Sequence, residues 1–174
     1  MSHVFKLWLV CLLHYLKMCL FQSSPSNLPF NPRTIVLTLL AYILVGYTLL
    51  ASERTLLSIC AQIFVEVAIL YAISYVALKA VKKPERLIQT LSALIGVNLI
   101  VSLVSIPVFH LLATPTPDQL PGSLPLQINV ILLVWNLAII SLIFKRAFQI
   151  NTLLAGFTAF NYFLVYEFIL VKVF

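Results

Sequence analysis

Acidic residues are almost missing from this chain, with five Asp and Glu in 174 residues against eleven Lys and Arg. The five show no paired-carboxylate arrangement of the kind general acid–base chemistry uses. Glycine is nearly as scarce, at four, and no Gly-rich loop is present to cradle a phosphate. Cys11, Cys19 and Cys60 are odd in number and unpatterned, and all lie in apolar helical sequence. They read as small apolar residues rather than a disulfide framework. His3, His14 and His110 stand far apart. Cys11-x-x-His14 shares a helix face only loosely and has no further ligand, so no metal site is expected. No Ser/His/Asp set is visible either, which points away from an enzyme and from any cofactor.

Charge of either sign is sparse at 9%, while 62% of residues are hydrophobic and mean hydropathy is +1.08. A typical soluble domain is about 45–50% apolar. Such a chain belongs in a lipid bilayer, and 174 residues leave room for one domain. With no acidic or basic tail, a nucleic-acid partner has no support.

What the chain has in quantity is long apolar runs. A spanning helix needs about 20 mostly apolar residues. Five stretches qualify: Thr34 to Ala51, Thr55 to Leu78, Leu87 to Leu112 (with a possible end near Pro107), Leu126 to Phe144, and Ile150 to Val171. Between them lie Ser52-Glu53-Arg54, the basic run Lys79 to Arg86, the Pro-rich loop Ala113 to Pro125, and Lys145-Arg146. Lys and Arg near span ends mark the cytoplasmic side. With the N-terminus inside, Lys6, Lys17, Arg33, Lys79, Lys82, Lys83, Arg86, Lys145 and Arg146 fall there, leaving only Arg54 and Lys172 outside. The expectation is an all-α polytopic bundle in a bacterial-type inner membrane, with residues 34–174 as its five-span domain, N-terminus in and C-terminus out.

Residues 1–22 form a separate unit. At about 100° per residue, Ser2, His3, Lys6, His14 and Lys17 occupy one third of a helix wheel, and Phe5, Trp8, Leu9, Leu12, Tyr15, Leu16 and Cys19 cover the rest. This is an amphipathic interfacial helix with a narrow basic stripe. A signal peptide is the rival, with Leu7 to Leu13 as its core, but His14 and Lys17 interrupt the run and no small-x-small site follows. Residues 23–33 then read as a turn-rich linker.

Glu66 sits near the middle of the second run. A charge at the bilayer centre costs roughly 2.5 to 3.5 kcal/mol on insertion scales, so something must compensate. Ser58, Gln62 and Glu66, spaced by four, share one helix side. Asn98, Asn136 and Asn161 lie near the midpoints of the later runs. An intramembrane polar layer of Glu66, Gln62, Asn98, Asn136 and Asn161 follows. With no Lys or Arg at that depth, the expected picture is a protonated Glu66 exchanging hydrogen bonds with amides. Two roles fit. The layer either binds helices together or marks a proton or ion path. Gln89, Ser92 and Gly96 point away from Asn98 on the third run, giving that helix two contact faces.

The run Lys79-Ala-Val-Lys-Lys-Pro-Glu-Arg86 sets topology and, together with Lys6 and Lys17, is expected to meet anionic lipid headgroups through Lys79, Lys82, Lys83 and Arg86. It leads into Lys82-Lys83-Pro-Glu-Arg-Leu-Ile-Gln-Thr-Leu-Ser-Ala-Leu-Ile-Gly96. This segment, with five spans and the N-terminus inside, resembles small prokaryotic members of the Yip1-type membrane protein family. The resemblance implies membrane organisation and partner binding or self-association rather than catalysis. A scaffold, assembly factor or accessory subunit is the expected role, with a small transporter or proton/ion-conducting component as the alternative.

Overall fold

The computed structural model describes residues 3–29, 31–50, 55–113 and 123–173. They form six α-helices: α1 (His3–Cys19), α2 (Pro32–Leu50), α3 (Leu56–Ala80), α4 (Leu87–Ala113), α5 (Ser123–Phe148) and α6 (Thr152–Val173). The fold is an all-α bundle, and α2 to α6 each contain a stretch long and apolar enough to cross a membrane. At 1.5 Å per residue even α2, with 19 residues, is about 28 Å long, close to a bilayer's hydrocarbon thickness. The Ser52-Glu53-Arg54 break and residues 114–122 of the Pro-rich loop lie outside the described residues, as does Ser2 of the basic stripe.

Helix ends follow local chemistry. Asn31 precedes Pro32, and its side chain accepts the Arg33 amide at 2.9 Å; a capping Asx before a first-turn proline is a standard helix start. Asn151 caps α6 through the Leu154 amide at 2.8 Å. The C-termini of α1, α3 and α5 are followed by Phe21, Lys82 and Gln149, all with φ near +60°. Gln22 N reaches Lys17 O and Lys83 N reaches Leu78 O, the six-to-one bonds of a Schellman ending. None of the three left-handed positions carries the glycine that would adopt it without strain.

One alternative in the sequence reading falls away, and one segment gains detail. Helix α4 does not end near Pro107; the proline lies inside a continuous helix to Ala113. Residues 23–29, in the segment read as a turn-rich linker, do contain a turn, and they also pack against the bundle. Pro25–Asn27 form a 3-10 turn, and Ser23, Pro25 and Leu28 are buried. The segment's carbonyls are occupied: Arg146 donates to Ser23 O and Phe21 O, and Gln89 Nε2 to Leu28 O. Buried backbone needs such partners, so the segment straps the ends of α4 and α5 together.

Helix α4 is central. In it, 61% of the most apolar stretch is buried, against 17–22% in the other four long helices. Helices α1, α2, α3 and α5 pack around it, and α6 closes the bundle against α5 and α3. The Ser92–Gly96 face meets α1: Tyr15 lies fully buried, its hydroxyl 2.8 Å from Ser92 Oγ and its ring flat over Gly96. Only a residue without Cβ permits that approach, because a Cβ at position 96 would lie 2.5 Å from three ring atoms.

Helix α1 therefore has three faces rather than the two expected. Cys11, Tyr15 and Met18 are buried in the bundle; Phe5, Leu9, Leu13, Leu16 and Leu20 form an exposed apolar strip; and Lys6 and Lys17 are exposed beside it. Trp8 Nε1 bonds Thr38 Oγ1 at 3.2 Å, and Trp135 Nε1 bonds Cys19 O at 3.1 Å, so both ends of α1 are held. Burial pushes the Cys19 thiol up to about 11.

Candidate functional site

Four helices meet at Glu66. It is the eleventh residue of α3, Tyr42 the eleventh of α2, Asn98 the twelfth of α4 and Tyr162 the eleventh of α6, so near-midpoints converge. Tyr42 Oη donates to Glu66 Oε2 at 2.8 Å. Asn98 Nδ2 donates to Oε1 at 2.6 Å, and Tyr162 Oη to the same oxygen at 3.2 Å. Glu66 is 6% exposed and Asn98 4%, so the cluster is buried inside the bundle. A carboxylate offers about four acceptor positions; three are taken.

The expected layer is partly rearranged. Gln62, one turn along α3, donates to Tyr166 Oη at 2.9 Å rather than to Glu66. Asn136 faces the Glu66 cluster from α5, with a buried Oδ1 that accepts no hydrogen bond. Asn161 does not join. Its Nδ2 returns to Phe157 O at 2.8 Å within α6, and the neighbouring Tyr162 takes its place. One residue is about 100° around a helix, so depth alone could not choose between positions 161 and 162. The amide neighbours expected around Glu66 are thus one amide and two phenols. The tyrosines were missed although a signal existed: Tyr in membrane proteins gathers at the interfaces, whereas Tyr42 and Tyr162 stand at helix midpoints.

Two cavities flank Glu66. One, of about 220 Å³, lies between α2, α3, α4 and α6 and is lined by Gln62, Ser102, Ser105 and Tyr166 among others. The second, of about 180 Å³, lies between α4, α5 and α6 and is lined by Asn98, Asn136, Tyr162 and Glu167. Tyr42, Glu66, Ser102 and Tyr166 border both, and among the described residues no Lys or Arg lines either. Both extend from Glu66 along the half of the bundle away from α1. The other half is filled by Tyr15, Leu70, Leu78, Leu94, Val97 and Phe144, all buried. The polar space is one-sided.

The basic residues gather at the opposite end. Lys6, Lys17, Lys79 and Lys82 are exposed, and Lys83 and Arg86 are partly covered. Lys83 Nζ donates to Gln149 Oε1, Lys79 Nζ lies 5.7 Å from the Tyr75 ring centroid, and Lys145 Nζ donates to Thr152 Oγ1. The α3–α4 and α5–α6 loops are therefore joined on the side where the 23–29 strap also lies.

Comparison with protein-family models, with curated proteins and with solved structures finds no match for this chain.

Proposed function

We propose that this chain is a non-enzymatic inner-membrane scaffold, assembly factor or accessory subunit, N-terminus cytoplasmic and C-terminus outside, that packs against itself or a larger membrane partner. The observation that carries this reading is the Glu66 junction. One carboxyl takes hydrogen bonds from three other helices, so it sets the register of a bundle whose lipid-facing surfaces are free for lateral contact. Interhelical bonds in membranes are worth only about 0.6 kcal/mol on average, and their main effect is register. The gathering of Lys79, Lys82, Lys83, Arg86, Lys145 and Arg146 at one end supports this orientation. Lys6 and Lys17 beside the exposed apolar strip of α1 suit an interfacial helix on anionic lipid, as the Yip1-type resemblance, itself a proposal, also accommodates.

Substitution tests it. Glutamine keeps the acceptor oxygen and shape, so Glu66→Gln should assemble normally, judged by native mass and co-purifying partners in mild detergent. Glu66→Leu leaves Tyr42, Asn98 and Tyr162 without their acceptor and should weaken assembly. If both variants assemble like the wild type, the reading fails. The one-sided cavities favour a second reading, a small transporter or ion-conducting component. In that case Glu66→Gln abolishes flux in reconstituted vesicles while assembly persists.

A further inference from the structure

Beyond the scaffold role, we propose that the paired cavities at Glu66 form a binding site for a small organic primary ammonium ion. Two observations converge on one place. Glu66 brings a carboxyl whose two oxygens keep about one acceptor position after Tyr42, Asn98 and Tyr162 have bonded. Asn98 Oδ1 and Asn136 Oδ1 are buried acceptors with no hydrogen-bond partner, and both residues line the cavity that Glu66 lines. Buried polar atoms are normally paired, so two bare carbonyl-type oxygens beside one carboxyl need an explanation.

A primary ammonium supplies what these groups lack. Its N–H donors suit the remaining position on Glu66 and, once the Asn98 and Asn136 side chains turn toward the cavity they line, the two buried amide oxygens. Its charge offsets the carboxylate, for which no Lys or Arg among the described residues lines either cavity. The rest of the lining favours an organic ion over a bare one. Leu133, Leu137 and Ile140 form apolar wall, and the aromatic Tyr42, Tyr162 and Tyr166 border the space. Aromatic faces attract cations, and small-molecule sites are largely apolar with a few convergent polar groups. Lobes of about 220 and 180 Å³ sharing one border are large for an alkali ion, which needs oxygens closed tightly around it. Glu167 adds a second carboxyl to the lining of the second lobe.

Butylammonium chloride is the probe, titrated calorimetrically against the purified full chain in a non-ionic detergent. Sodium chloride, neutral butanol and tetraethylammonium serve as comparisons. Saturable binding of butylammonium is expected, with sodium, butanol and tetraethylammonium at least tenfold weaker. Asn136 Oδ1 accepts no interhelical hydrogen bond, so Asn136→Leu should keep the fold, checked by circular dichroism, yet weaken butylammonium at least tenfold. Glu66→Gln should do the same. Sodium binding as well as butylammonium overturns the organic-ion site in favour of an alkali one. No saturable binding, or binding unchanged in both variants, overturns the site altogether. Loss of butylammonium binding in Asn136→Leu with assembly intact separates this site from the scaffold reading.

Discussion

Replacing Gly96 with alanine should release α1 from the bundle. The added Cβ would stand 2.5 Å from three atoms of the Tyr15 ring, where carbon atoms rest about 3.5–4.0 Å apart. The ring must therefore move by about 1 Å, but it is fully buried and its hydroxyl is tied to Ser92. Overpacking of this kind costs about 1–3 kcal/mol, a shift of roughly 5- to 150-fold toward undocked α1. The buried thiols of Cys11 and Cys19 report it directly. With Cys19 pushed up to about 11 from an ordinary 9.0, its thiolate share at pH 8 is roughly one in a thousand when docked and one in ten when released. The sign follows: docking favours the protonated thiol, so α1 holds below pH 9 and weakens as pH rises from about 9 toward 11. The assay is maleimide labelling at pH 8 in a Cys60→Ala background, with mass spectrometry locating the label. Gly96→Ala should speed labelling at Cys19 several-fold or more. Adding Gly96→Ala to Tyr15→Ala, where the clash is absent, should change stability by less than about 0.5 kcal/mol. Unchanged labelling in Gly96→Ala would refute the idea that the Tyr15–Gly96 contact holds α1.

Two further outcomes follow from particular residues. Tyr162→Phe removes a donor from buried Glu66 and should cost about 1 kcal/mol in thermal unfolding in detergent, whereas Asn161→Ala should stay within about 0.5 kcal/mol; equal effects would contradict the placement of this pair. Lys82 sits at φ 58°, a left-handed conformation that costs an L-residue about 1–2 kcal/mol. Lys82→Gly should therefore raise the unfolding midpoint while Lys82→Ala does not, and a gain in both would point to charge instead of backbone strain.

The helices were legible in the sequence because apolar runs of 18 residues or more, punctuated by Lys, Pro and Asn, leave few alternatives in lipid. Spacing also disclosed the two faces of α4, since Ser92 and Gly96 lie across the helix from Asn98 and meet α1 while Asn98 meets Glu66. The site was half legible. An ionisable residue in an apolar helix draws attention whatever surrounds it, and depth matching found Asn98 and Asn136. Depth does not fix rotation, however, so Asn161 was preferred to Tyr162, and tyrosines were passed over because phenols count as apolar in a hydropathy pattern. The strap at 23–29 was invisible for another reason. Its order comes from Arg146 and Gln89, donors more than 60 residues away in sequence, and short-range turn signals carry no trace of such partners.

The claim that Glu66 ties the helices together is tested most directly by a double-mutant cycle on the bond from Asn98. Unfolding free energies of Glu66→Ala, Asn98→Ala and the pair, measured in one detergent, isolate the interaction between α3 and α4. Interhelical bonds reach about 1.7 kcal/mol in membrane proteins, and bonds to a charged group about 1.5–3 kcal/mol. The account predicts a coupling of about 1 kcal/mol or more. Effects that add to within about 0.3 kcal/mol would contradict it, leaving Glu66 a buried carboxyl with neighbours but no role in holding the bundle.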